Sequence, residues 1–137
     1  MESLGYAEVA IKVEDVERSA RFYIDVVGYE DSQYEFDPDH RILKVGPDHY
    51  LGLHKLGALP KRTIMEGRYG HYHQRNIGQV HLVFAIAQHE VQGLADRLTE
   101  AGYEIHGPET HDDSGELHLY ASDPDGHAME WWGKLAG

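Results

Sequence analysis

The chain has 137 residues, of which 41% are apolar and 26% charged, a length for one domain and a composition of the soluble globular class, with no apolar run long enough to span a bilayer. A formal charge of −12 sets it against nucleic acid, whose phosphates would meet a net negative surface, and leaves room for a cation. The absence of cysteine excludes disulfides, thiolate metal ligation and a cysteine nucleophile, and the start, "MESLGYAEVA", has neither the basic nor the apolar part of a signal peptide, so a cytoplasmic protein is expected.

The first element is an alternating strand in "EVAIKV", with Val9, Ile11 and Val13 on one face and Glu8 on the other. Asp15 is placed to cap a helix whose apolar stripe is Val16, Ala20, Tyr23 and Val27 and whose end is Gly28. Strand candidates "SQYEF", "RILKVG" and "HYLGLHK" follow, and the last sets Leu51 and Leu53 opposite His54. "GALPKRTIMEGRYGHYHQRNIG" has the composition of a loop, in which Tyr72, His73 and Arg75 offer the makings of a lid.

From His81 the pattern repeats. Leu82, Phe84 and Ile86 share a strand face that His81 leaves, a second helix carries Val91, Leu94, Leu98 and Ala101, and Gly102 ends it. Next come "EIHGPE", "ELHLYAS" and, after the turn Asp123-Pro124-Asp125-Gly126, "HAMEWW". In the penultimate strand His118 and Tyr120 point away from Leu117 and Leu119, and in the last Glu130 points away from Met129 and Trp131. The order is strand, helix, strand, strand, strand, twice: an α+β fold of two paired βαβββ modules, 4–57 and 78–133, joined by loop 58–77 into a single domain over 1–137, with mixed sheets cupped around a central cleft.

An ionised carboxylate buried without a partner costs several kcal/mol, so Glu130 either faces water or meets a metal or an arginine. Glu8 and His81 occupy equivalent positions of the two modules, and so do His54 and Glu130. Two imidazoles and two carboxylates without sulfur suit a divalent ion of the Fe, Mn, Co, Ni or Zn type. His40, His49, His89, His106 and His111 are expected in turns or at the surface, without chemistry, and Trp131 and Trp132 in the core and at an interface.

"VEDVERSARFYIDVVGYE", "GQVHLVFAI" and above all "LYASDPDGHAMEWW" resemble the vicinal oxygen chelate superfamily of glyoxalase I, extradiol dioxygenases, epimerases and antibiotic-resistance proteins. The resemblance implies a metal site of Glu8, His81 and Glu130, with His54 as a fourth ligand, holding Fe(II) or alternatively Mn(II), Ni(II) or Zn(II). It implies a small-molecule substrate, with neither nucleic acid nor membrane as partner, and a homodimer. The function expected first is extradiol-type oxygenation of a catechol-like substrate that chelates the metal through vicinal oxygens, with Tyr120 and His73 (or its neighbour His71) as catalytic groups. Glu8 stands where extradiol enzymes carry histidine, which keeps open a glyoxalase- or epimerase-type isomerase or lyase. A metal-free protein sequestering a cationic antibiotic is the third possibility. Fosfomycin modification ranks lower, because Lys134 is the only basic residue after Glu130.

Overall fold

A computed structural model describes residues 1–4, 6–33, 38–56, 80–110 and 113–135. The chain forms two compact units, Met1–Gly78 and Gln79–Gly137. Among the described residues no helix is long and apolar enough to cross a membrane.

In the first unit, β1 (Glu8–Val13) leads into helix α1 (Val16–Arg21), which widens into a π-helical turn over Phe22–Val27 before β2 (Glu30–Asp31), β3 (His40–Gly46) and β4 (His49–Lys55). The Asp15 side chain accepts a 3.0 Å bond from the Arg18 N–H and so caps the helix. The expected stripe of Val16, Ala20, Tyr23 and Val27 is buried, and Phe22 is buried with it. Consecutive Phe22 and Tyr23 both point inward, as an edge-to-face pair with centroids 4.9 Å apart. A regular stripe has no place for both, and the wide turn supplies it, with the Gly28 N–H bonding the Tyr23 carbonyl at 3.1 Å. Gly28 itself is left-handed at φ 101°, where a side chain would be strained. The strands lie in the order β1-β4-β3-β2, with β1 parallel to β4 and the other neighbours antiparallel. Ile11, Val13, Leu43, Leu51 and Leu53 bury on the helix side. The strand expected at "SQYEF" is seen earlier, at Glu30–Asp31, and residues 34–37 lie outside the described ones.

The second unit repeats this plan. β5 (His81–Ala87) is followed by a 3-10 turn (Gln88–Glu90), helix α2 (Val91–Glu100), β6 (Ile105–Thr110), β7 (Leu117–Ser122) and β8 (Ala128–Lys134). The order is β5-β8-β7-β6, again with the first strand parallel to the last and the others antiparallel. Val91, Leu94, Ala95 and Leu98 are buried against the sheet with Leu119, Met129 and Trp131. Ala101 departs from expectation: α2 ends at Glu100, Ala101 caps it exposed, and Ala95 fills the inward position instead. Both sheets are mixed and each is backed by its helix, so the architecture is the α+β pair of βαβββ modules that the repeat implies.

The turn before β8 is built by one side chain. Buried Asp123 accepts from the N–H groups of Asp125 and His127, both at 2.9 Å. His127 in turn accepts from the Val80 N–H through Nδ1 at 3.1 Å, fixing the start of β5 beside that of β8. Asp123→Ala is expected to lower the urea unfolding free energy by about 1–3 kcal/mol, since it leaves buried donors without their acceptor. A loss below the error of the measurement would show that the turn holds without it.

Candidate functional site

Each unit carries its polar residues on the sheet face turned away from its helix. In the first unit this face bears Glu8, Ala10 and Lys12 of β1, Tyr50, Gly52 and His54 of β4, and His40, Ile42 and Lys44 of β3. Ala10 pairs with Gly52, which lies between Tyr50, opposite Glu8, and His54, opposite Lys12. A Cβ at Gly52 would stand 2.5 Å from Glu8 Oε1, 3.2 Å from His54 Nε2 and 3.2 Å from the Ala10 Cβ. The carboxylate and the imidazole therefore reach the same point above β4, and they reach it because residue 52 has no side chain. Gly52 is not at positive φ, so its backbone does not demand glycine. Desolvation raises the Glu8 carboxyl above its ordinary range and lowers the Lys12 ammonium.

His40 corrects the sequence reading, which put it in a turn or at the surface. It opens β3, is only 6% exposed, and meets the His54 ring edge-to-face with centroids 4.7 Å apart.

In the second unit Glu130 is 8% exposed and is met from three sides. His118 Nδ1 lies 3.3 Å from Oε1, His81 Nε2 lies 3.5 Å from Oε2, and the Tyr120 hydroxyl donates to the same carboxylate. Burial pushes the Glu130 carboxyl up, but the bonds from Tyr120, His118 and His81 outweigh it and leave the group below its ordinary value. Tyr120 moves the opposite way, up to about 12, through burial first and then through the Glu130 carboxylate it serves. It is a protonated donor throughout the neutral range. His118 is fixed by stacking on Trp132, with centroids 5.1 Å apart, and the Trp132 Nε1–H donates to Glu116 at 3.2 Å. Glu116 also takes the Lys134 ammonium at 2.9 Å and the Leu135 N–H at 3.0 Å.

Of the residues the sequence singled out, the structure brings Glu8 together with His54 in one unit, and His81 with Glu130 and Tyr120 in the other. His71, His73, Tyr72, Arg75 and His111 lie outside the described residues. His118 joins Glu130 unforeseen as a partner; its strand alternation with Tyr120 is the signal that pointed to it. Among the described residues no cluster of three or more His, Asp or Glu side chains is already assembled for a metal ion. On the polar face of its sheet each unit instead brings a carboxylate beside imidazole, Glu8 with His54 in the first and Glu130 with His81 and His118 in the second, nitrogen and oxygen donors that suit first-row divalent ions, and the space left at Gly52 is the room the first pair needs.

The family model described as the Glyoxalase/Bleomycin resistance protein/Dioxygenase superfamily matches residues 5–131. The chain belongs to this superfamily. Among solved structures it is similar to integron cassette protein HFX_CASS4 from the mobile metagenome of the Halifax Harbour sewage outfall, at 27% identity and TM-score 0.71 over 96% of this chain and 100% of that one. It is also similar to lactoylglutathione lyase from Agrobacterium tumefaciens, at 20% identity and TM-score 0.75 over 97% and 96%, and to oxidase ChaP-H1, at 19% and 0.70 over 96% and 97%. At these last identities the likeness is one of fold. No curated protein matches the chain.

Proposed function

We propose that this superfamily member is a divalent-metal-dependent isomerase or lyase, with Glu8, His54, His81 and Glu130 as the metal's ligands and a substrate that chelates through vicinal oxygens. The observation that carries this reading is the meeting of Glu8 and His54 above Gly52. It gives the donor set a second carboxylate, unlike the two-histidine, one-carboxylate triad of non-haem iron oxygenases. A divalent ion bound there supplies Lewis-acid polarisation of a chelating substrate oxygen, which acidifies a neighbouring C–H. Glu8 accepts that proton and returns it to the adjacent carbon, so the proton balance closes on one side chain. Glu130 stays ionised and oriented, held by Tyr120 and His118.

Oxygenation of a catechol-like substrate is the second reading, supported by Tyr120, whose phenol is kept protonated beside Glu130 and, by turning its one O–H away from that carboxylate, can donate to a substrate oxygen. Metal analysis of protein purified without chelators, followed by two assays, separates these readings. Exchange of solvent deuterium into the carbon beside a substrate carbonyl supports the first, and oxygen uptake on a catechol panel after anaerobic Fe(II) loading supports the second. Protein that takes up no divalent ion would be a metal-free binder, and both enzymatic readings would fall.

Gly52→Ala tests the carrying observation directly. Its methyl group would crowd Glu8 and His54, and metal affinity is expected to fall about 10- to 100-fold, as when groups supporting a metal ligand are disturbed. The melting temperature should hold within a few degrees, because alanine is no worse than glycine in a strand. Unchanged affinity would remove Glu8 and His54 from the ligand set.

A further inference from the structure

An open pocket of about 600 Å³ lies at the end of the second unit's sheet where β6 and β8 start and β7 stops. That is the size of a small-molecule site. Ser122 and Ala128, opposite each other in register, are too short to fill it, whereas Tyr103, His106 and Tyr120 line it with rings. His106 and Tyr120 are register partners as well, with centroids 5.9 Å apart and planes tilted by 58°, so neither ring covers the face of the other. Charge then narrows the guest. The second unit, Gln79–Gly137, has eleven acidic residues against only Arg97 and Lys134, and so carries nine of the chain's twelve net negative charges. Lys134 is bonded to Glu116 at 2.9 Å. Among the described residues lining the pocket there is no lysine or arginine, while Glu104 is one of them and the Glu109 carboxylate lies 3.0 Å from His106 Nε2. A recess in such a field concentrates cations and repels anions. Aromatic faces add a contact suited to a quaternary ammonium, which has no N–H to satisfy.

We propose that this pocket is a binding site for a small quaternary ammonium compound, its cationic head set against the Tyr103, His106 and Tyr120 rings within reach of the Glu104 charge. The rings supply the contact and the acidic unit the attraction, so the site draws on no hydrogen bond that its residues already make. Tyr120 keeps its donation to Glu130, and His106 keeps its contact with Glu109. None of Glu8, His54, His81 and Glu130 lines the pocket, so the inference stands apart from the proposed metal.

The test titrates the isotope-labelled protein, as purified, with three probes of one shape and follows its backbone amide chemical shifts. The probes are choline, its uncharged isostere 3,3-dimethylbutanol and the anion 3,3-dimethylbutanoate. Choline should bind about 5- to 30-fold more tightly than the alcohol, the range for a cation over aromatic faces, and the anion should bind more weakly than either. The shifts should centre on residues 103–106, 120–122 and 128. Glu104→Gln, exposed and isosteric, should cut the preference about threefold and leave the alcohol's affinity unchanged. His106→Leu, which removes one ring, should narrow it too. Equal affinity for choline and the alcohol overturns the proposal, and that comparison needs no variant to fold. So do shifts scattered over the acidic surface, an undiminished preference in Glu104→Gln, or no shifts at tens of millimolar choline. Metal content, measured on the same samples, is a separate result.

Discussion

His81→Ala is expected to lose stoichiometric divalent metal, with affinity falling by at least about 100-fold, more than the effect of disturbing a group that only supports a ligand. His81 sits on the edge strand β5 with its side chain 52% exposed, while Leu82, Phe84 and Ile86 alternate with it on the other face. Removing the imidazole therefore takes little from the core, and the melting temperature should move by no more than a few degrees. Glu130→Gln should lose the metal as well but behave differently in stability. It swaps a buried carboxylate that accepts from Tyr120, His118 and His81 for a neutral amide, and one of those donors then faces an N–H₂ group. His89→Ala, in the exposed turn Gln88–Glu90, is the control that should retain the metal. Metal content per chain after reconstitution and dialysis reads all three. If His81→Ala binds metal like the parent protein, the proposed ligand set is wrong.

Trp131→Ala should cost about 3–5 kcal/mol, the range for emptying a large aromatic site in a core. Trp131 is fully buried on β8, the strand between β5 and β7, with Leu119 opposite it in one neighbour and Phe84 in the other. The Phe84 ring stacks against it with centroids 6.2 Å apart. A chain of this length has a total stability of roughly 7–20 kcal/mol, so the loss is a large share of the whole. The urea midpoint should fall steeply and the melting temperature by about 10–20 °C. Trp132, the next residue, lies on the opposite face, half-buried under His118 and Lys134. Its replacement by alanine should cost less. Equal losses at 131 and 132 would contradict the assignment of the two faces.

The fold was legible because its signals are local. Alternation in "EVAIKV" and "HLVFAIA" fixes which side chains face the helix, Asp15 and Gly28 mark the helix ends, and the duplicated order of elements gives the two modules. The same alternation placed Glu8, His54, His81, Tyr120 and Glu130 on the polar faces. What escaped depends on contacts between strands. His40 reads as a loop histidine until β3 pairs with β4, and Lys12 reads as an ordinary strand lysine until it is seen opposite His54. Gly52 gives no signal at all in a linear reading, since its importance lies in what fills the space above it. Ala101 misled for the opposite reason: the helical period continued on paper one residue past Glu100, where the helix ends, with Ala101 as its cap and Gly102, at φ 90°, turning the chain next.

The two carboxylates close the comparison between the halves. One is pinned by a phenol and two imidazoles, and the other leans over a missing side chain with its proton affinity raised. The two acids are not counterparts in the repeat, since Glu8 matches His81 on the first strand of a module and Glu130 matches His54 on the last, and their surroundings shift their proton affinities in opposite directions. Exchanging those two proton affinities would take a swap of the local environments, the bare position at Gly52 for the phenol and imidazoles around Glu130, rather than of the residues themselves.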